Sequence, residues 1–234
     1  MRYRNSFLGF FWSLLNPLAY MVILTLVFSF LLRVQVQGFA AWVLVGILVW
    51  RFFALGTNQG LFSIINNASL VNKVYIPRYL IVLASNLASL LGASLELVVL
   101  FPLLIFLGAI PSLFVAILPL ILLSEFSLVF GLSLALSTLN VVYRDFYQLW
   151  DIALQLGFFL SPIVYDSNLI PLRFRLIYSL NPVTRLIEST RDILLSNRVP
   201  TIFDAMTIAA SSVILVGVGA VLFNHMQERI AEEV

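Results

Sequence analysis

Three ionisable residues stand near the middle of long apolar runs: Arg51, Glu96 and Glu125. A charge at the centre of a bilayer costs about 3 kcal/mol on insertion scales, so such groups face a bundle interior or a wet cavity and find partners. Two chemistries fit them. Arg51 can form an intramembrane ion pair with Glu96 or Glu125, with any protonated glutamate hydrogen-bonding between helices, or the three can relay protons in a coupled transporter. The second use ordinarily takes more repeats and more intramembrane acids. Other reactive groups are scarce. The chain has no cysteine, hence no disulfide, thiolate metal site or catalytic thiol. Its only histidine, His225, lies at the end of the last apolar run, an interfacial position, so neither a metal site nor a catalytic acid/base set is expected.

The elements that must position these residues are membrane helices. Of 234 residues 62% are hydrophobic and only 10% charged, against the roughly 25% of a soluble chain, and the mean hydropathy is +1.06. About 145 hydrophobic residues at about 20 per crossing set a ceiling of about seven spans. Six runs qualify, at about 17–32, 40–62, 80–108, 113–139, 147–165 and 204–224. The reading is an all-α membrane protein of six transmembrane helices with both termini on one side. Too few residues remain for an attached ATPase, a soluble catalytic domain or a receptor ectodomain. A net charge of +2 is too small an excess to argue for nucleic acid.

Ahead of the first span, Arg2, Tyr3, Arg4, Phe7, Phe10, Phe11 and Trp12 read as a short interfacial helix, and Asn16-Pro17 as the cap and first-turn proline of the span itself. The long run that follows, without a small-residue cleavage site, is not a signal peptide. With the N-terminus inside, Arg2, Arg4, Lys73, Arg78, Arg144 and Arg229 are cytoplasmic, and Arg33, Arg173, Arg175, Arg185, Arg191 and Arg198 are outside. That is six against six, and only the two arginines before the first span against one after it favour the N-terminus inside.

Two connections are informative. In 166–203, Asn181-Pro182 opens a helix whose Val183, Leu186, Ile187, Thr190, Ile193 and Leu194 form one face, with Arg185, Glu188, Arg191 and Asp192 opposite and Glu188 one turn from Arg191. Leu169–Leu180, with Arg173 and Arg175, reads as a second short helix. Residues 63–79 carry Asn66, Asn67 and Ser69 as caps, then Leu70, Val71, Val74, Tyr75 and Ile76, then Pro77 as a stop. This segment is either a membrane-skimming linker or the surface gripped by a partner that supplies energy. In the fifth span Tyr143, Tyr147, Trp150, Leu154, Phe158, Ser161 and Tyr165 share one face, which stacks on sugar rings, packs helices or marks the two membrane interfaces. Ala84, Ala88 and Gly92 predict close helix packing, and Pro102 and Pro119 predict kinks.

The segments RYRNSFLGFFWSLLNPL (2–18), WRFF (50–53), SLVNKVYIPRYL (69–80), VVYRDF (141–146), FFLSPIVY (158–165) and LNPVTRLIESTRDILL (180–195), in this order along almost the whole chain, resemble the membrane subunit of ABC-2 type polysaccharide and polyol-phosphate exporters. These permeases move O-antigen, capsule or teichoic acid chains across bacterial inner membranes. The resemblance implies a non-enzymatic homodimer with both termini cytoplasmic. It implies two copies of a separate nucleotide-binding subunit that holds ATP and Mg, no cofactor in this chain, and a lipid-linked glycan as substrate. Asn72, Lys73, Tyr75, Pro77 and Arg78 map to a cytoplasmic coupling helix, and Tyr143, Arg144 and Asp145 to a cytoplasmic turn near the ATPase or the lipid head groups. Tyr147, Trp150, Phe158 and Tyr165 map to channel aromatics. Two short gate helices on the far side map to about Ile170–Leu195, with Arg173, Arg175, Asn181, Arg185 and Arg191. Two departures stand out. Family members carry a longer stretch ahead of the RYR motif, so either the start is truncated or the N-terminal contact with the ATPase is reduced; and Arg51 stands where a neutral polar residue is expected. Rival readings are an ABC-2 exporter of drugs or small lipids with a less aromatic channel, a membrane-embedded transferase, which would need more acids or histidines, and a secondary transporter without an ATPase.

Overall fold

The computed structural model describes residues 11–31, 38–69, 77–109 and 112–233, and these are entirely helices and their connections. The interfacial helix expected from Arg2, and Arg33, Asn72, Lys73 and Tyr75, lie outside the described residues. Eight α-helices are described: α1 (Phe11–Thr25, continued by a π-helical turn, Leu26–Leu31), α2 (Phe39–Asn66), α3 (Tyr79–Phe106), α4 (Leu118–Val142, entered through a 3₁₀ turn), α5 (Phe146–Leu160), α6 (Leu172–Ser179), α7 (Pro182–Leu194) and α8 (Ile202–Glu233). Four stretches are long and apolar enough to cross a bilayer: Phe39–Asn66, Tyr79–Phe106, Leu113–Val142 and Ile202–Met226. The other two expected crossings are shorter. The apolar part of the first is Leu14–Ser29, and the 15 residues of α5 rise about 22 Å, less than the ~30 Å of hydrocarbon.

Helix α2 is the hub, packed against α1, α3, α4 and α7, with Val43, Leu44 and Val45 wholly buried. Ile64, Val82, Leu134, Val141 and Phe223 form a separate cluster at the end where α2 and α4 finish and α3 begins. The start of α2 and the α5–α8 connection lie at the opposite end, where Trp42 meets Arg191.

The tightest helix pair is α4 with α8. A Cβ on Gly131 would strike the backbone of Leu215 and Val216, and one on Gly219 would strike the Gly131 carbonyl, so the two backbones touch. The small residues singled out on α3 do something else. Ala84 and Ala88 are exposed and Gly92 faces open space, because α3 buries Val82, Asn86, Ser89, Glu96, Leu100 and Leu104 instead. Pro119 stands in the first turn of α4, where its missing N–H costs nothing, so it kinks no span; Pro102 is inside α3. Asn16-Pro17 does not open α1 either, since both residues are inside the helix.

Candidate functional site

Arg51 is at the middle of α2 and reaches two neighbouring helices at once. Its guanidinium donates to Glu96 Oε1 on α3 at 3.1 Å and to Asn16 Oδ1 on α1 at 2.7 Å. Of the two partners expected for Arg51, the structure selects Glu96, and it adds Asn16, which the sequence had suggested only as a cap. The Arg51 and Glu96 side chains are 17% and 11% exposed. Glu125 does not join them. Its carboxylate is fully enclosed on α4, with Oε1 lacking any hydrogen-bond partner, beside a cavity of about 30 Å³ that Thr190 of α7 also lines. A space of that size holds one or two waters.

The aromatic face of α5 is a packing seam against α2. Tyr147 meets Phe62 at a tilt with ring centroids 5.8 Å apart, Trp150 meets Phe53 and donates through Nε1 to Thr57 at 3.3 Å, and Phe158 packs edge-to-face with Trp50. Gly157 keeps this approach open, since a Cβ there would collide with the Trp50 ring. The stripe predicted along one helix is broken, because α5 ends at Leu160. Tyr165 lies in the following turn, where its hydroxyl donates to the Phe159 carbonyl at 3.0 Å and its ring meets Tyr178 edge-on. On α5 only Leu154 is buried, and Leu149, Ile152, Leu156, Phe159 and Leu160 point outward.

The chain after α5 then turns inward, and Ser161, Pro162, Ile163 and Val164 are buried in non-helical conformation. Irregular backbone at such depth needs internal partners for its carbonyls. Arg191 supplies them. It donates to the carbonyls of Pro162 (2.6 Å), Ile163 (3.1 Å) and Trp42 (3.1 Å), with its guanidinium over the Trp42 ring. Gly46 makes room, as a Cβ there would meet the guanidinium. Burial lowers the Arg191 pKa to about 9, while Glu188 and Asp166 hold it up, so the group stays cationic at neutral pH. Arg191 was expected on the polar face of α7 one turn from Glu188. It is 6% exposed, and Glu188 pairs instead with Arg185 at 3.0 Å, which also bridges to Asp204 on α8 at 3.0 Å. Asn181 caps α7 by accepting from the Val183 N–H at 3.0 Å, as its pairing with Pro182 implied. Arg173 and Arg175 are exposed on α6, which buries nothing.

At the opposite end Tyr143, Arg144 and Asp145 form an exposed turn between α4 and α5, and Pro77 and Arg78 lead into α3. Both lie at the end marked by the Ile64–Val141–Phe223 cluster. No group of three or more metal-ligating side chains occurs among the described residues.

Residues 1–195 match the family described as ABC-2 type transporter. Over 233 residues, 99% of this chain and 90% of the relative, the chain is 32% identical to an O-antigen export system permease protein RfbA of Klebsiella pneumoniae. A second protein of the same name and organism is 31% identical over 233 residues, again 99% of this chain and 90% of the relative. An O-antigen export system permease protein RfbA of Myxococcus xanthus is 29% identical over 235 residues, 100% of this chain and 90% of the relative.

Proposed function

The chain belongs to the ABC-2 type transporter family, and from that we propose that it is the membrane subunit of an ATP-driven exporter of O-antigen-type polysaccharide. The observation that carries the reading is similarity over the full chain to three proteins all named as O-antigen export permeases. The substrate is a lipid-linked glycan. The chain holds no cofactor and hydrolyses nothing itself; two copies of a separate subunit bind ATP and Mg. Two copies of this chain form the conduit in the bacterial cytoplasmic membrane, with both termini cytoplasmic. The outward apolar faces of α3 and α5, unpartnered within one copy, support this assembly.

In this reading the end bearing the 63–79 connection and the Tyr143–Asp145 turn is cytoplasmic. The segment through Asn72, Lys73, Tyr75, Pro77 and Arg78 couples to the ATPase, while Tyr143, Arg144 and Asp145 meet the lipid-linked head group. The polymer then passes Tyr147, Trp150, Phe158 and Tyr165, an aromatic seam held by a helix that buries only one residue. Helices α6 and α7, with Arg173, Arg175, Asn181, Arg185 and Arg191, form the extracytoplasmic gate. Arg51, Glu96 and Asn16 are a structural lock between α1, α2 and α3.

Co-purification from native membranes tests the proposal. It expects an ABC-type ATPase in a two-to-two complex whose hydrolysis responds to lipid-linked glycan. A protein that purifies alone and transports in proteoliposomes under an ion gradient would refute it.

A further inference from the structure

Between the connection that precedes α6, α6 itself and the start of α7 lies a cavity of about 250 Å³ walled by Ser167, Arg175, Tyr178, Ser179, Thr184 and Glu188. Its size is near the lower bound of ligand pockets and admits a single small ring. One wall group is out of place in a finished core. Thr184 is 1% exposed and its Oγ1 has no hydrogen-bond partner. A buried hydroxyl left unsatisfied costs about 1–3 kcal/mol, so one lining a cavity points to a polar guest that completes it.

The charges around the cavity balance. Arg185, at its edge, is already committed to the Ser179 carbonyl at 2.8 Å, to Glu188 Oε2 at 3.0 Å and to Asp204 at 3.0 Å. Arg175 adds one positive charge, so two arginines face the two carboxylates Glu188 and Asp204, and the sum is zero. An anion or a cation gains little there. What the wall residues offer is a mixture of donors and acceptors: Thr184, Ser167 and Tyr178 carry hydroxyls and Glu188 a carboxylate. Burial raises the Tyr178 pKa, which keeps that hydroxyl a donor.

The second observation concerns the other side of Tyr178. Tyr178 and Ile170 also border an apolar groove of about 430 Å³ with Tyr165, Phe174 and Ile177, and the Tyr165 and Tyr178 rings meet edge-on with centroids 6.3 Å apart. A polar cavity beside an aromatic wall suits a ligand with hydroxyls on its rim and C–H bonds on its face. We propose that this cavity is a subsite for one neutral pyranose ring, with Thr184 and Glu188 bonding its hydroxyls and the Tyr178 ring lying against its apolar face. The inference deepens the export reading and rests on it, placing a sugar contact on the gate helices and away from the seam of α5.

Saturation-transfer NMR on the purified complex in nanodiscs tests it, with methyl α-mannopyranoside, methyl α-glucopyranoside and methyl β-galactopyranoside as probes and inorganic phosphate as competitor. Transfer to at least one pyranoside, unaffected by phosphate, is expected. Thr184→Val deletes an unpartnered hydroxyl and so preserves the fold, yet it weakens the binding about 2- to 10-fold, the loss of one hydrogen bond. Tyr178→Ala weakens it as well. Absence of transfer from all three pyranosides, equal transfer in Thr184→Val, or displacement by phosphate would each overturn the subsite. Failure of the subsite and failure of the export reading are separable. A complex that hydrolyses ATP in response to lipid-linked glycan but shows no pyranoside transfer keeps its exporter role and loses only this site, whereas a chain that brings no ATPase fails the export reading itself.

Discussion

Replacing Arg191 removes the donor shared by two carbonyls of a buried, non-helical turn, Pro162 and Ile163, and by the Trp42 carbonyl of α2. The three bonds, at 2.6, 3.1 and 3.1 Å, are charge-assisted and worth about 1.5–3 kcal/mol each, so their gross sum is about 4.5–9 kcal/mol. Against this stands the relief of returning a guanidinium to water, several kcal/mol. The Pro162 and Ile163 residues stay buried in either case, outside any helix, so their carbonyls lack the intrahelical donor that serves the Trp42 carbonyl in α2. The net expected for Arg191→Ala is therefore about 3–5 kcal/mol, the size seen when one member of a buried charged contact is deleted. Arg191→Met restores the apolar stem but no donor, and should lose nearly as much. Arg191→Lys brings three donors on a point charge that cannot fork across three acceptors, and should lose about half. Heating the detergent-solubilised protein and measuring the folded fraction by size-exclusion chromatography reads the effect, at about 2–4 °C per kcal/mol for a chain of this size. Exposed Arg173→Ala is the control and should stay within about 0.5 kcal/mol of the parent. If Arg191→Met melts within about 3 °C of the parent, the carbonyls find other partners and the clamp has no energetic role.

Gly219→Ala puts a Cβ into the Gly131 carbonyl and should cost about 1–3 kcal/mol, whereas Gly217→Ala, facing open space two residues earlier on α8, should be neutral or slightly stabilising in the same thermal assay. Glu96→Gln leaves the Arg51 charge with a neutral partner and should destabilise by about 3 kcal/mol, while the double variant Arg51→Met, Glu96→Met should recover most of the loss. Burial, Asp204 and Glu188 raise the Asp192 carboxyl, so the folded state holds its proton to higher pH than the unfolded chain and stability falls as pH rises through the ordinary carboxylate range. Asp192→Asn should then raise the melting temperature at pH 7 and lose its advantage below that range; an unchanged or lowered melting temperature at pH 7 refutes the linkage. Hydrogen exchange should be slowest in α2, α4 and α8 and faster in α5 and α6, which bury one residue and none; uniform protection would contradict that ordering.

Much of the helical architecture is legible because hydropathy and length report directly on spanning segments. The amphipathic helix at 182–194 was equally readable, as its cap, first-turn proline and apolar spacing are local signals. What escaped is what depends on the third dimension. Arg191 reads as polar-face because its neighbours in sequence are polar, and only the buried turn at Pro162 and Ile163, 29 and 28 residues away, explains why it points inward. Small residues on α3 and α8 look alike in sequence. Gly219 is a contact and Gly92 is not, since the difference lies in which helix is opposite. Asn16-Pro17 looked like a helix start because both types favour that position, yet Asn16 serves α2 through a bond across 35 residues. That the aromatic face of α5 meets Trp50, Phe53 and Phe62 of α2 was not legible either, because the two ring sets lie some ninety residues apart in sequence.

These particulars divide the molecule by how firmly its parts are held. Helices α2, α4 and α8 are locked by backbone contact at Gly131 and Gly219 and by a wholly buried row on α2, and α1 and α3 are tied to α2 through Arg51. Helix α7 belongs to this block, because Arg191 fastens it to α2 and to the turn after α5, and Arg185 fastens it to α8. By contrast α5 is fixed at its two ends and along a seam of rings, and α6 has no buried residue at all. Aromatic pairs contribute about 0.5–1.5 kcal/mol each beyond area, and sliding one ring past another forfeits little of that. A conduit that widens and narrows for a polymer needs its moving wall on such contacts and its frame on the others. The α5 seam meets the first need, and the glycine-packed helices with their arginine clamp meet the second.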